Sequence, residues 1–476
     1  MIIYFGALVW LFSAFFFLIC TSYYILELIP AYIRHRKHYL NNNVPNDEEL
    51  RLLLSTTNQT FPIIKFQITT RGDEVAVVKR GILSVVNLAK SSLLFERHIE
   101  LLVVSDIFSE VKVFSDFFQD LKANFPTKAI FVPKDYKTPR ETVLKARSLQ
   151  YAVDYRKNNC FQSNTDSKSY IFYFDAESTI NEVNFRRILH AIITSPEKKI
   201  FEGPIVYPHK YFNANIISRQ MESSRPFNCH HCVQIMKKPP PIHLHGSNLL
   251  VEENFVNSIG WDFGKVKDQP LLAEDLFFGL KAFSKYGSQP FGWHGGKISE
   301  QPPFSISDSI NARLRWVTGA WQAVSLLVMQ PEFQNLPWHL RAWIIFRIRF
   351  RIITHSLSFF AAIFVLLSFL IFFFPTLFSS FKFDSELLSP SFRTFQFFVT
   401  RFILLPGTIF WIFGIVNGAS KNIEPLNLSI RHRLLEYGKI LLVTPIAGAI
   451  ESFSALYASI RWILGKPYNS WNVTEK

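Results

Sequence analysis

The pattern of apolar and polar positions divides the chain into a middle part with alternating strand and helix signals and two ends that are largely apolar. Four apolar runs in the middle part predict buried strands, at residues 61–70, 99–105, 129–132 and 170–174. Helical spacing of apolar residues predicts helices between these runs, at residues 73–91, 111–123 and 140–156. This alternation predicts an α/β domain with a doubly wound, mostly parallel sheet and helices on both faces.

Both ends of the chain carry apolar stretches that are long enough to cross a membrane. Residues 5–24 contain no charged residue, and about 20 apolar residues span a hydrocarbon core. A signal peptide is the alternative, but its apolar core has only about 7–15 residues and follows a basic start, so we interpret this stretch as an anchor. Three further spans are predicted, at residues 354–378, 394–416 and 440–464.

The segment before the second predicted span is basic and aromatic. Residues 340–353 (LRAWIIFRIRFRII) have the composition of an interfacial amphipathic helix, whose arginines and Trp343 suit the headgroup layer. In the last span, Pro445 could end the helix, and Glu451 is an acid that must be paired or functional. The side of the membrane on which the chain ends therefore stays open.

These patterns predict five parts of the chain. They are a transmembrane anchor (1–30), a basic juxtamembrane segment and linker (31–62), a catalytic α/β domain (63–322), interfacial helices (323–353) and a membrane region with about three hydrophobic segments (354–476). Arg34, Arg36 and Lys37 directly follow the anchor, and the positive-inside rule then predicts that the α/β domain faces the cytosol.

Composition narrows the class of protein further. A hydrophobic content of 49% is too high for an ordinary soluble domain, and the net charge of +14 is concentrated near the apolar segments, which favours lipid headgroups over nucleic acid as the partner. Four cysteines in 476 residues do not form a disulfide framework. The sequence Cys229-His230-His231-Cys232 lacks the usual ligand spacing of a structural zinc site.

Acidic residues stand where two of the predicted strands end. Asp106 follows LLVVS, and Asp175 and Glu177 follow YIFYF. Carboxylates at the carboxyl edge of a parallel sheet can hold Mg²⁺ or Mn²⁺ against a diphosphate, because such ions use one or two protein carboxylates plus phosphate oxygens. Taken singly, each of these acids could equally be a surface turn residue.

A second acidic pair lies in an apolar stretch, PLLAEDLFFGL. A carboxylate there is costly unless it is paired or functional, so Glu274 and Asp275 are candidate catalytic residues, with Asp275 as the base. The alternative is a charge that stabilises the start of a helix.

Basic residues in two further motifs suit the phosphates and sugar of a nucleotide donor. In KARSLQ these are Lys145 and Arg147, whose charges can bind phosphate oxygens. In NARLRW, Arg313 and Arg315 can bind phosphate and Trp316 can contact a sugar ring. Ordinary surface charges remain the alternative for each position.

The order of these motifs resembles that of the membrane-bound family 2 glycosyltransferases, over about residues 66–322. The resemblance implies a GT-A-like nucleotide-sugar-binding domain inserted between transmembrane helices. It also implies that Asp106 contacts the nucleoside, that Asp175 and Glu177 hold the diphosphate and a metal, and that Asp275 is the base. Glu177 replaces the more usual Asp of the D-x-D motif, which lengthens its reach.

The Q-x-x-R-W motif of that family is matched only in part. Arg315 and Trp316 match its end, whereas Ala312 stands in place of its Gln. The resemblance is greatest to the egghead-type β-1,4-mannosyltransferases, in KARSLQYA, HGSNLLV and AEDLFFGLKAFSKYG. That resemblance implies an inverting, metal-dependent transfer of mannose from GDP-mannose to a membrane glycolipid such as glucosylceramide.

Glycine-adjacent loop residues are the candidate contacts for the acceptor. They are His245, Gly246 and Ser247 in the first loop and Trp293 and His294 in the second. Ordinary loop histidines are the alternative interpretation of this set.

Several functions stay open from the sequence. A processive polysaccharide synthase or a ceramide glucosyltransferase would use a UDP-sugar, although about four spans is few for a polysaccharide channel. A non-catalytic membrane scaffold would not need acids in this order. For an enzyme, the partners are a nucleotide-sugar, a membrane lipid acceptor and the bilayer, with no nucleic acid, and the expected location is the ER or Golgi membrane.

Overall fold

The computed structural model of the protein describes residues 2–35, 44–72, 75–159, 167–229, 244–373, 394, 397–466 and 468. Its strands are β1 (Ile63–Thr70), β2 (Ile99–Ser105), β3 (Thr127–Phe131), β4 (Ser169–Asp175), β5 (Ile200–Glu202), β6 (Ile205–Val206), β7 (Leu249–Glu252), β8 (Lys265–Val266), β9 (Gln269–Pro270), β10 (Phe291–Trp293) and β11 (Ile298–Ser299). Within these residues, seven strands form the main sheet in the order β10-β5-β7-β4-β1-β2-β3.

Helices precede, connect and follow these strands. They are α1 (Ile2–Tyr23), α2 (Ile29–His35), α3 (Asp47–Thr57), α4 (Val75–Lys90), α5 (Leu93–Glu96), α6 (Phe108–Leu121), α7 (Leu144–Asn158), α8 (Glu182–Thr194), α9 (Ile216–Met221), α10 (Arg225–Asn228), α11 (Glu253–Ile259), α12 (Glu274–Tyr286), α13 (Ile306–Leu327), α14 (Pro331–Gln334), α15 (Trp338–Phe373), α16 (Leu405–Ile423) and α17 (Ile430–Ile463). Single π-helical turns lie at Tyr24–Leu28 and Thr400–Leu404, and short 3₁₀ turns at Tyr211–Asn213 and Glu424–Leu426.

The apolar pattern of the middle part explains its layers. All eight residues of β1 are buried, as expected for a central strand that is covered on both faces. In α4, Val78, Ile82 and Val85 recur at helical spacing and pack into the core against the sheet. The prediction of an α/β, doubly wound domain is therefore confirmed, and the seven predicted elements lie close to the observed ones.

The carboxyl ends of three neighbouring strands form one edge of the sheet. β1 is parallel to both β2 and β4, with Thr70 opposite Ser105 and Thr69 opposite Asp175. Asp106, directly after β2, and Asp175, at the end of β4, therefore flank β1 at the same edge. This arrangement creates a polar edge above an apolar sheet.

The prediction of a mostly parallel sheet is confirmed, because six of the seven described strands of the main sheet run in one direction and β7 opposes them. β7 runs antiparallel to both β4 and β5, so the sheet is mixed. Because Leu249 at the start of β7 pairs with Tyr173 near the end of β4, the loop before β7 lies at the same edge as Asp175. The antiparallel strand thus brings residues 244–248 to the polar edge.

Three helices of the described residues are long and apolar enough to cross a membrane. These spans are Trp338–Leu367, Phe397–Leu426 and Ile430–Ile463. The basic stretch and the span after it form one continuous helix, α15, whose 36 residues extend over roughly 54 Å. Pro445 lies inside α17 and does not end it.

The first apolar helix packs against the other apolar helices. The rings of Phe12 and Phe360 stack with centroids 4.9 Å apart, and the Ser13 hydroxyl donates to the Phe360 carbonyl at 3.3 Å. Some predictions lie outside the described residues. They are the basic residues Arg36 and Lys37, the central motif residues His230, His231 and Cys232, and residues 374–378 and 395–396 of two spans.

Candidate active site

Helix α7 lies over the polar edge and contacts two of its carboxylates. The Lys145 ammonium donates to Asp175 Oδ1 at 2.5 Å, and the Ser148 hydroxyl donates to Asp106 Oδ1 at 2.8 Å. Arg71, just after β1, binds Asp106 Oδ2 at 3.1 Å. Lys145 and Ser148 are three positions apart and therefore share one helix face.

The residue before Lys145 has an unusual backbone. Leu144 has a φ of 61°, a left-handed conformation that is unfavourable for a residue with a branched side chain. Strain of this kind persists only where the surroundings hold it, and it concentrates at functional sites. Leu144 is the first residue of α7, and the residue after it, Lys145, binds Asp175.

Asp275 approaches this ion pair from the other side. It lies in the first turn of α12, and its Oδ1 accepts from the Leu276 amide at 2.7 Å. A Cβ atom added to Gly246 would lie 3.1 Å from both Asp275 Oδ2 and Lys145 Nζ. An alanine at this position would therefore press against both the candidate base and the lysine, and these side chains would have to shift by a few tenths of an ångström.

The burial of these charges changes their proton affinities. Burial, followed by the charge of Glu274, raises the pKa of Asp275 to about 7. Burial also raises the pKa of Glu274, against the opposing charge of Lys145. Burial alone would lower the pKa of Lys145. The negative charges of Asp175, Glu274 and Asp275 have a larger, opposite effect, so the pKa of Lys145 is raised. Asp275 is thus a carboxylate with a strengthened affinity for a proton.

The two arginines of the NARLRW motif have different surroundings. The positive charge of Arg315 acts on Glu274 and so reaches the acidic pair. Arg313 is buried and binds Glu222 at 2.5 Å and Glu451 at 3.2 Å. Glu451, predicted to be paired or functional, is therefore paired.

Trp316 and Arg147, two other predicted donor contacts, also interact with neighbouring groups of the protein. Guanidinium groups of Arg225 and Arg313 lie over the Trp316 ring, 4.4 Å and 5.0 Å from its centroid. Arg147 donates to the backbone carbonyls of Pro133 and Tyr136 in the loop after β3. Their roles in donor binding stay predictions.

The predicted acceptor residues occupy different depths. Gly246 lies at the centre of the site. In the second loop, the ring of the buried His294 accepts from the Gly296 amide at 3.1 Å, and Trp293 is buried in β10.

The neighbours of Gly246 in the first loop bind other groups of the protein. Glu202 Oε1 accepts from the His245 amide at 2.6 Å, and burial lowers the pKa of the His245 ring to about 3. Ser247 donates to Glu300 at 2.5 Å. The structure brings only Gly246 of this set next to Lys145 and Asp275, and the acceptor role of the set stays a prediction.

Glu300 is a site residue that sequence reasoning missed. It is 5% exposed, and burial together with the charges of Glu177 and Asp175 raises its pKa to about 8. A single acid after a two-residue strand carries no signal in the sequence. Only the folded chain brings it next to residues more than 100 positions earlier.

The carboxylates at the end of β4 suit a divalent cation. No group of three or more His, Cys, Asp or Glu side chains that could hold a metal occurs among the described residues. Mg²⁺, however, usually takes one or two protein carboxylates and completes its shell with phosphate oxygens and water. Asp175 and Glu177 offer hard oxygen ligands beside a third acid, Glu300, and carboxylate oxygens are the ligands that suit such an ion.

Comparison with known proteins identifies the class of domain. Residues 170–375 match the family model "Glycosyl transferase family group 2". This matched region, similar to a glycosyltransferase family 2 domain, includes the Asp175 turn, the Asp275 helix and the NARLRW motif. This domain and the mixed sheet agree with the GT-A-like fold predicted from the sequence.

Curated relatives point to a narrower group. The chain is 26% identical to "Beta-1,4-mannosyltransferase egh" of Drosophila melanogaster over 272 residues, which is 56% of this chain and 54% of that protein. It is 24% identical to "Beta-1,4-mannosyltransferase bre-3" of Caenorhabditis elegans over 264 residues, 54% of this chain and 52% of that protein. The matched part of the chain thus spans about half the length of these relatives.

Two solved structures are similar to the chain at low sequence identity and with TM-scores below 0.5. A mannosyltransferase, PcManGT from Pyrobaculum calidifontis in complex with GDP-Man and Mn²⁺, is 13% identical with a TM-score of 0.45, covering 83% of this chain and 98% of that one. S. aureus TarS 1–349 is 10% identical with a TM-score of 0.35, covering 86% and 94% of the two chains.

Proposed function

We propose that this protein transfers mannose from GDP-mannose to a membrane glycolipid, such as glucosylceramide, in β-linkage and with inversion. The observation that carries the proposal is the arrangement of Asp275, a buried carboxylate with a pKa raised to about 7, and the Lys145–Asp175 ion pair around Gly246. The curated relatives named as β-1,4-mannosyltransferases support the choice of sugar.

In this proposal, residues on one side of the site act on the acceptor and residues on the other side act on the donor. Asp275 accepts the proton of the acceptor hydroxyl as that oxygen bonds to the sugar, and its raised pKa suits that task. The positive charge of Lys145 stabilises the departing diphosphate. Asp175 and Glu177 would hold Mg²⁺ or Mn²⁺, which offsets further negative charge on that group. A single displacement of this kind inverts the sugar and needs no covalent intermediate.

An apolar groove supports a lipid acceptor. The groove has a volume of about 440 Å³ and lies between α13, which contributes Leu314, and two candidate membrane helices, which contribute Phe359, Phe453 and Tyr457. Hydrocarbon chains suit such a surface, because it offers almost no polar group. Leu314 directly precedes Arg315, whose charge acts on Glu274, so helix α13 carries both a residue of the groove and a residue that acts on the acidic pair.

The test of the proposal measures transfer by the full chain in lipid nanodiscs. We expect incorporation of a single β-linked mannose into glucosylceramide with GDP-mannose and Mn²⁺, and little with UDP-glucose. Long products from a UDP-sugar would favour a processive synthase instead, and glucose transfer to ceramide would favour a ceramide glucosyltransferase. Failure of every nucleotide-sugar to bind would favour a non-catalytic scaffold.

A further inference from the structure

The backbone around Glu300 is fixed on two sides. The Glu300 amide donates to the Val206 carbonyl at 2.8 Å, which extends the pairing of β11 with β6. The preceding residue, Ser299, exchanges two backbone hydrogen bonds with Thr179, at 2.8 Å and 2.9 Å. Glu300 therefore projects its side chain from a rigid position next to the turn that follows β4.

Two buried hydroxyl groups converge on one oxygen of Glu300. Ser178 donates to Oε1 at 2.9 Å and Ser247 donates to the same atom at 2.5 Å. Ser178 and Ser247 are 0% and 2% exposed, so water does not compete for these hydrogen bonds.

Each of the two serines belongs to a segment that carries a component of the site. Ser178 closes the turn of Asp175, because the Asp175 amide donates to the Ser178 hydroxyl at 3.2 Å and the Ser178 amide donates to the Asp175 carbonyl at 3.0 Å. Ser247 follows Gly246, whose carbonyl accepts from Lys145 at 3.4 Å. A continuous series of hydrogen bonds thus runs from Asp175 through Glu300 to the Gly246 loop.

We propose that Glu300 is a positioning residue that fixes the Asp175–Ser178 turn against the Gly246–Ser247 loop, and so sets the distance between the donor side of the site and Asp275. The inference rests on the proposed transferase function. An acid that only filled the core would have no reason to link these two segments, since burial of a carboxyl group is costly and an apolar side chain would avoid the cost.

The test compares Glu300→Ala with Glu300→Gln in the full chain. The amide oxygen of Gln can accept both serine hydroxyls, whereas Ala removes the acceptor. A displacement of about 1 Å in a catalytic geometry can cost roughly 10²-fold in rate. We therefore expect Glu300→Ala to lower kcat by about 10- to 100-fold with little change in the KM for the donor, and Glu300→Gln to recover most of the turnover.

Variants of single serines test the Ser178 and Ser247 hydrogen bonds to Glu300 separately. They remain informative even if Glu300→Ala does not fold. Ser178→Ala and Ser247→Ala should each lower kcat, and the double variant should lose less than the product of the two single effects, because both act through one oxygen. Gln301→Ala is the matched control, since Gln301 is equally buried but accepts from Arg80 on α4 at 2.9 Å. It should leave kcat unchanged.

Two results would overturn the inference. If Glu300→Gln were as inactive as Glu300→Ala, the charge of the residue would matter rather than its hydrogen bonds, which would indicate direct contact with a metal or substrate. If all the variants kept normal kcat, Glu300 would have no role in the reaction. Both results require a wild-type protein that transfers a sugar, and an inactive wild type would contradict the proposed function instead.

Discussion

At the scale of single residues, the site brings three acids close to one lysine. Lys145 lies among Asp175, Glu274 and Asp275. Repulsion between neighbouring carboxylates adds to the cost of burial and raises proton affinity. A divalent ion bound with a nucleotide-sugar would offset the negative charge of the diphosphate on the donor side and leave Asp275 to act on the acceptor.

The raised pKa of Asp275 predicts the pH dependence of the reaction. A base acts only when it is deprotonated, so kcat/KM should fall as pH decreases through about 7, whereas an ordinary Asp would stay active to about pH 4. The Asp275→Asn variant should lose about 10²–10⁴-fold in kcat and retain its affinity for the nucleotide.

The measurement combines pH–rate profiles with nucleotide binding to the same protein preparations. Retention of the sugar's configuration in the product, or loss of binding as large as the loss of kcat, would assign Asp275 another role.

Removal of the Asp175 carboxylate tests the donor side. Asp175→Asn should abolish most transfer and weaken the activation by Mn²⁺, while the fold is kept because Asp175 is partly exposed at the end of β4. Glu141→Gln is the control, since Glu141 is an exposed acid that pairs with Lys265 away from the site. Full activity of the wild type in excess chelator would contradict the role of a metal.

The sequence predicts some of these residues and not others. Asp106 and Asp175 follow long apolar runs, and the place of a strand end can be inferred from such runs alone. The sequence also predicts Asp275, because an acid is costly in an apolar stretch. Glu300 owes its position to contacts between distant segments and has no local sequence pattern, whereas the sequence predicts Gly246 as an acceptor contact but not its place next to Lys145 and Asp275.

At the scale of elements, α13 supports the helix that carries the acidic pair. Gln322 of α13 accepts from the Leu272 amide at 3.0 Å and donates to the Pro270 carbonyl at 2.9 Å. Gly319 packs so closely that an added Cβ would lie 2.6 Å from the Cβ of Ala273. Helix α13 therefore fixes the loop that leads into Glu274 and Asp275.

Gly319→Ala should disturb this support. The new methyl group meets the backbone of Ala273 at 2.8 Å, so the loop must shift, and overpacking of this kind costs about 1–3 kcal/mol. We expect a lower unfolding temperature and a fall in kcat. Gly438→Ala in α17 is the matched control, because nothing lies within 4 Å of its added Cβ. Equal stability and turnover of the two variants would contradict the supporting role of α13.

The elements also show where prediction from the pattern fails. Apolar runs identify β1, β2 and β4, but β7 has only four residues, and nothing in a run of that length gives its direction. The alternation of strands and helices predicts the direction of the strands, and this alternation stops after α8. The antiparallel pairing of β7 has a consequence for the site, since it brings Gly246 to the edge that carries Asp175.

At the scale of the whole molecule, apolar helices flank an α/β domain that the sequence predicts to face the cytosol. Protease added to sealed microsomes should cut within residues 41–316 without detergent, because nucleotide-sugars are made in the cytosol. Antibody detection of the fragments checks this, with a lumenal protein as the control for sealed membranes. Protection of that region until detergent is added would contradict the orientation.

A buried ion cluster joins the α/β domain to the last candidate membrane helix. Arg313 of α13 binds Glu222, after α9, and Glu451 of α17. The two partners are unequal. The Glu222 contact is 2.5 Å long with both side chains 1% exposed, whereas Glu451 lies at 3.2 Å and its side chain is 27% exposed. Water screens the second contact more strongly than the first.

This difference predicts an order of stabilities. Arg313→Met removes the guanidinium shared by both acids and leaves buried charge behind, which should cost about 3–5 kcal/mol in the free energy of unfolding. Glu451→Gln keeps the Arg313–Glu222 pair and should cost less. Thermal unfolding of the purified protein in nanodiscs measures both. If Glu451→Gln were the more damaging change, the contact with α17, rather than the contact within the α/β domain, would hold Arg313 in place.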